Sequence, residues 1–152
     1  MSSRLFIEIR EKRGLAYYVE AMPDFYTDSG YLLTRAGVKL EKIDEAIKVT
    51  RREFQKLMDK KVGTQELKKT KEFLKGRMVL ALEDSYAVAS RYAAQVLLER
   101  KIRTPEEAMR LVDKVTAEDV QRVARDIFRP EKLNLAIIGP YKEVNRFKKL
   151  LA

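Results

Sequence analysis

The 152 residues contain no His and no Cys, so every chemical role open to this chain falls to carboxylates, Lys, Arg, Tyr and Ser. Ser/His/Asp triads, Cys/His dyads, Cys or His zinc sites, haem and iron–sulfur ligation and disulfides are excluded together. Among carboxylates, Glu83 and Asp84 form an adjacent pair inside the stretch Leu82-Glu83-Asp84-Ser85. Neighbouring positions on a helix point about 100° apart, so the two converge on one ion only where a helix breaks. The competing reading is a cap for a helix beginning near Ser85.

Cations offer the second chemistry. Lys and Arg number 32 against 23 Asp and Glu, a net charge of +9, and clustered cations are what phosphate neutralisation requires. Arg51, Arg52, Lys56, Lys60, Lys61, Lys68, Lys69, Lys71, Lys75 and Arg77 crowd two adjacent segments. Glu53, Asp59, Glu66 and Glu72 are interspersed among them at spacings of three and four, the pattern of a solvated helix face. No RNP-type aromatic motif, helix-turn-helix pattern or Gly-rich phosphate loop accompanies them, so no nucleic-acid partner is expected.

The elements that must position these groups follow from punctuation and periodicity. Ser3 to Arg13 carries Leu5, Phe6 and Ile9 on one helical face and stops at Gly14, with Leu15 placed to fold back. Tyr17 to Met22 and Gly30 to Val38 read as two antiparallel strands around a loop containing Pro23, Asp24, Asp28 and Ser29. Leu40 to Lys60 is an amphipathic helix. Thr64 is expected to cap a second long helix whose narrow polar face predicts deep burial, and Gly76 within it predicts a close approach by another element. Tyr86 to Glu99 resumes the helix with small residues, and Lys101 to Arg103 is a linker. Thr104-Pro105-Glu106-Glu107 is a capping box with proline at the first helical position, and Thr116 with Asp119 opens the next helix in the same way. Leu133 to Ile138 is expected as a buried strand, and Gly139-Pro140 separates it from a last helix, Tyr141 to Leu151.

One domain over residues 1–152 is the default at this length, and about 150 residues bury roughly two thirds of the unfolded chain's surface without staples. The fold class is α+β, helices packed on a small, mostly antiparallel sheet. With no run of about 18 apolar residues and charges inside any signal core, no membrane association is expected, and a soluble protein of a reducing, cytoplasmic compartment is.

Local sequence goes further than composition. Ser2-Ser3-Arg4-Leu5-Phe6 followed by Arg10-Glu11-Lys12-Arg13-Gly14-Leu15-Ala16-Tyr17 resembles the C-terminal domain of the pitrilysin/insulinase family of zinc peptidases, which includes the mitochondrial processing peptidase subunits. Asp28-Ser29-Gly30, Ala36-Gly37, Glu66-Leu67, Lys75-Gly76, Leu82-Glu83-Asp84-Ser85, Thr104-Pro105-Glu106-Glu107, Val115 to Val120 and Ile138-Gly139-Pro140 continue the likeness in order and spacing over essentially the whole chain.

The resemblance implies a LuxS/metallohydrolase-like domain lacking its first strand and helix, because family domains begin with that pair before the SSRLF stretch. It therefore implies apolar surface left exposed where the pair belongs, and a possible homo-oligomer through the truncated edge. Members of the family are clamshells whose zinc motif, HxxEH, sits in the N-terminal half. A chain without His is then the non-zinc half, with no cofactor of its own. Its expected partners are a zinc-bearing HxxEH half or subunit and a peptide substrate. The resemblance also implies a role for an Arg and a Tyr seven residues apart, which Arg10 and Tyr17 match: both donate hydrogen bonds to a peptide carbonyl. From the residues alone, Arg10 equally serves the helix dipole and Tyr17 equally serves packing. Arg4, Lys12 and Arg13 read as ion-pair residues, Tyr26 and Arg35 as rim and sheet-face residues. The rival expectation is a structural or assembly subunit of the same fold without proteolysis.

Overall fold

The computed structural model describes residues 3–151; Met1 and Ser2, the first residue of the SSRLF stretch, lie outside the described residues. A short helix widened to a π-type turn over Phe6–Glu11 leads into β1 (Ala16–Phe25) and β2 (Gly30–Val38), which pair as a two-stranded antiparallel sheet. Six α-helices follow: α1 (Ile43–Asp59), α2 (Thr64–Ala81), α3 (Ser85–Ala94), α4 (Pro105–Lys114), α5 (Ala117–Ile127) and α6 (Val144–Leu151). The chain divides into two compact units, one of residues 1–23, 32–60 and 121–152, the other of residues 24–31 and 61–120.

The first unit holds the principal core. Leu5 and Ile9, four apart on one helical face, pack with Leu15, Ala16 and Val19 of the turn and β1 and with Ala46 and Val49 of α1. Ile9 and Leu15 are 0% and 1% exposed, so the helix, the turn and the strand share one dry seam. Gly14 makes the seam possible. Its φ of +57° lies in the left-handed region that glycine occupies without a Cβ clash, and there it closes the helix with Gly14 N–H donating to Arg10 O and Leu15 N–H donating to Ile9 O. The latter bond spans six residues, one more than the usual helix-ending motif. The extra residue is the one the π turn inserts, visible in the bond from Lys12 N–H to Ile7 O at 2.9 Å. Phe54 of α1 and Phe128 beyond α5 stack face to face, centroids 4.2 Å apart. Arg51 donates to Leu150 O and Arg125 to Met58 O, tying the last two helices of this unit to α1 through carbonyls at helix ends.

The second unit is built from well-ended helices. Thr104 and Glu107 complete the capping box, with Glu107 N–H donating to Thr104 Oγ1 and Thr104 N–H to Glu107 Oε2, and Pro105 is the first helical residue. Asp84 caps α3 by accepting from Tyr86 N–H at 2.9 Å. Lys71 and Lys75 of α2 reach Asp113 of α4. Buried Gln95 accepts from Arg103 N–H, holding the 101–103 linker against the π-type turn Gln95–Glu99 that prolongs α3.

Five expectations are corrected. Leu133 to Ile138 forms no strand. Among the described residues only β1 and β2 pair, so this extended segment has no ladder partner, and Ile138 is fully exposed; apolar composition without a neighbour to satisfy N–H and C=O does not make a strand. Helix α2 is not deeply buried: none of its residues is, and Leu80 is 68% exposed, because α4 covers only part of its broad apolar face, where Leu67 and Met78 are half-buried. Thr64 does not cap α2; Gly63 holds the cap position and no side chain accepts there. A Cβ at Gly76 would meet nothing within 4 Å, so that glycine marks no close approach. The last helix also starts later than expected, at Val144.

If the left-handed turn sets the seam, Gly14→Ala lowers stability by about 1–2 kcal/mol, the cost of an L-residue in that region, read from the urea midpoint at unchanged slope. A neutral substitution would show that the turn relaxes at no cost.

Candidate functional site

Arg10 and Tyr17 are the two residues that the family likeness singles out, and the seam brings them together. Arg10 stands one position beyond the buried Ile9, at the end of the π turn; Tyr17 stands two beyond the buried Leu15, at the start of β1. Their backbones are therefore carried by the two best-buried side chains of the first unit. The Arg10 guanidinium carbon lies 5.6 Å from the Tyr17 ring centroid and 5.0 Å from that of Phe6, both within cation–π range. Tyr17 is 83% exposed while Ala16 and Val19 on either side are buried.

Charge on this segment is sorted. Glu8 accepts from Lys12 Nζ at 2.6 Å and from Arg13 Nη1 at 2.5 Å, and Arg13 also donates to the Glu8 carbonyl. The hydrogen bonds from Lys12 and then from Arg13 hold the Glu8 carboxyl at about 2, well below its ordinary 4.5. Among the described residues no carboxylate pairs with Arg10; its partners are the two rings. A guanidinium whose partners are rings has N–H donors, five in a planar fork, to offer an acceptor from outside. The phenol of Tyr17 adds a donor at an exposed position.

The other residues considered lie elsewhere and do other things. Tyr26 is on the hairpin tip beside Tyr31, and both phenols donate to Asp24, Tyr31 at 2.8 Å. The Asp24 carboxylate, then Tyr26, push the Tyr31 phenol up to about 12, so Tyr31 stays protonated. Arg35 rests its guanidinium near Met22 Sδ at 3.7 Å. Lys12 and Arg13 are the ion-pair residues expected. Glu83 and Asp84 make no joint site, since Asp84 is the cap of α3. The basic stretch carries interspersed pairs, Lys56 with Glu53, Lys61 with Glu118 and Lys75 with Glu72 and Asp113.

Two features escaped sequence reasoning: Phe6 as the second ring on Arg10, and Glu8 as the shared acceptor. Both carried a signal in their spacing, since Phe6/Arg10 and Glu8/Lys12 are four apart and face each other on a helix.

A metal fits none of this. Among the described residues no three His, Cys, Asp or Glu side chains gather as a metal site needs, and the sequence holds neither His nor Cys. Fold and site together define a mostly helical chain with one antiparallel hairpin, on which an arginine and an exposed tyrosine offer hydrogen-bond donors.

Comparison with known proteins shows what the chain is similar to. Residues 1–74 match the Peptidase M16 inactive domain. The chain is 34% identical over 145 residues to an uncharacterized zinc protease of Streptomyces coelicolor, covering 94% of this chain and 31% of that protein. It is 34% identical over 140 residues to an uncharacterized zinc protease of Bacillus subtilis, covering 92% and 34%. It thus spans about a third of the length of these curated relatives. A conserved protein from Enterococcus faecalis superposes with a TM-score of 0.68 at 28% identity, over 81% of this chain and 28% of that one. The same fold occurs in complex III2 from Candida albicans, TM-score 0.73 at 20% identity over 83% and 30%, and in the periplasmic protease PqqL from Escherichia coli, TM-score 0.59 at 17% identity over 82% and 14%. The first part of the chain thus matches the inactive domain of peptidase M16, and nearly its whole length is similar to about a third of these bacterial zinc proteases.

None of the described helices is long and apolar enough to cross a membrane.

The sign of the Glu8 shift sets a pH dependence. A carboxyl depressed in the folded state contributes its stability in full above the unfolded value near 4.5 and loses it as pH falls toward about 2. Urea midpoints of the native chain should fall across that window, and Glu8→Gln should flatten the fall. An identical pH profile for the variant would show that Glu8 is not the group responsible.

Proposed function

We propose that this domain forms part of the wall of a peptidase chamber and contributes Arg10 and Tyr17 to peptide hydrolysis carried out at the zinc site of a partner, an HxxEH-bearing half or subunit. The observation that supports it most is the pairing itself: a guanidinium that, among the described residues, has no carboxylate partner and lies 5.6 Å from the ring of an exposed tyrosine. Such donors hold a peptide carbonyl at both guanidinium and phenol. Charge builds on that carbonyl oxygen as the peptide bond is attacked, and two fixed donors stabilise it more than they stabilise the ground state. Neither residue acts as a base, since Arg stays protonated and the Tyr17 phenol serves here as a donor. The general base belongs to the partner half, as in the family's HxxEH pattern.

The division of labour makes the isolated chain inactive and the assembled enzyme sensitive to this chain's residues. With the HxxEH partner added, Arg10→Ala and Tyr17→Phe should each lower kcat/KM for peptide cleavage by about 10²–10³, the usual effect of deleting one oxyanion donor, with thermal midpoints close to that of the native chain. Unchanged cleavage in both variants would overturn the proposal and leave an assembly role for the domain.

A further inference from the structure

We infer that Phe6 is a positioning residue for Arg10, the lower half of an aromatic clamp that aims the guanidinium fork. The inference rests on the reading of Arg10 as a substrate donor and adds to it a residue that itself touches no substrate.

An Arg side chain has four rotatable bonds and about 2 kcal/mol of rotamer entropy, so a rim arginine is an imprecise donor unless something holds it. Salt bridges would hold it but would also occupy its N–H groups. Rings hold it without occupying them, because a cation–π contact uses the face of the guanidinium or its charge, and the donors project from the edge. Phe6 lies 5.0 Å from the Arg10 guanidinium carbon, closer than Tyr17 at 5.6 Å.

Phe6 is also the better anchored ring. It is half-buried and packs against the cluster of Leu5, Ile9 and Leu15, whereas Tyr17 is exposed. The ring is therefore fixed from below by the core and presents a face to Arg10 from a position four residues earlier on the same helix. Its N–H donates to Ser3 Oγ at 3.2 Å, which fixes the first turn from which the ring projects. Glu8 completes the arrangement by engaging Lys12 and Arg13, so that carboxylate already has two partners.

A double-mutant cycle in the assembled peptidase tests the inference. Phe6→Leu keeps apolar volume over the core and removes the ring, and should lower kcat/KM roughly tenfold, the scale of a misaimed catalytic contact. Phe6→Tyr, which keeps the face, should restore activity to within about twofold of native. In an Arg10→Ala background, Phe6→Leu should have no further effect, a non-additivity that a merely structural role would not give. A separate reading comes from NMR of the native chain and Phe6→Leu: the Arg10 side-chain protons should sit upfield, shifted by ring current, and move downfield in the variant. Loss of activity in Arg10→Ala with native activity in Phe6→Leu would overturn the role of Phe6 alone. Full activity in Arg10→Ala would instead overturn the donor reading beneath it. Equal, additive losses from Phe6→Leu in both backgrounds would show that Phe6 acts only through the fold.

Discussion

Everything placed at the candidate site hangs on the dry contact between Ile9 and Leu15. The two side chains lie six positions apart, on either side of a reversal, and both are essentially inaccessible to water. Burying two such aliphatic side chains is worth about 1.5–3 kcal/mol each relative to exposure, more than the left-handed turn would cost most residues and far more than it costs glycine. The backbone bond from Leu15 N–H to Ile9 O satisfies the donor and acceptor that this burial removes from water. Arg10 and Tyr17 are the next exposed positions on the two sides of that contact, so their proximity is a consequence of core packing and not of attraction between them. The widened turn matters here: the residue it inserts lets the chain leave the helix one position later while Leu15 still lands on Ile9.

Electrostatics then decides what the proximity is good for. Four basic residues fall within Arg4 to Arg13, and a single carboxylate, Glu8, serves both Lys12 and Arg13. Arg10 is held by rings instead. By engaging Glu8, Lys12 and Arg13 leave that carboxylate already paired and the Arg10 guanidinium to the rings. The second unit follows a different rule. Its helices are defined by their ends, through the Thr104/Glu107 box and the Asp84 cap, while α2, α3 and α4 contain no buried residue.

Much of this was legible in the chain because it is locally encoded. Gly14 announces the left-handed stop, Thr104 to Glu107 the capping box, Gly30 to Val38 the second strand, and SSRLF with REKRGLAY the likeness to the zinc peptidases. What misled was any inference from composition to burial. Leu133 to Ile138 has the residues of a central strand and the long α2 has the pattern of a buried helix, but a strand needs a ladder partner and a helix needs a covering layer, and neither requirement is written in the segment itself. At the site, Arg10 and Tyr17 were marked by a motif, whereas Phe6 and Glu8 were marked only by a spacing of four, which is common to every helix and becomes informative once the rings and charges are seen to meet.

With no histidine or cysteine in the chain, the proposed role of Arg10 and Tyr17 is to hold the substrate as donors rather than to act as base or nucleophile. Contact between Tyr17 and the peptide is the most direct test. With p-benzoylphenylalanine replacing Tyr17 and the HxxEH partner present, illumination should crosslink the domain to a labelled substrate peptide, and excess unlabelled peptide should suppress the crosslink. Crosslinking to the partner chain alone, with the peptide untouched, would contradict the account.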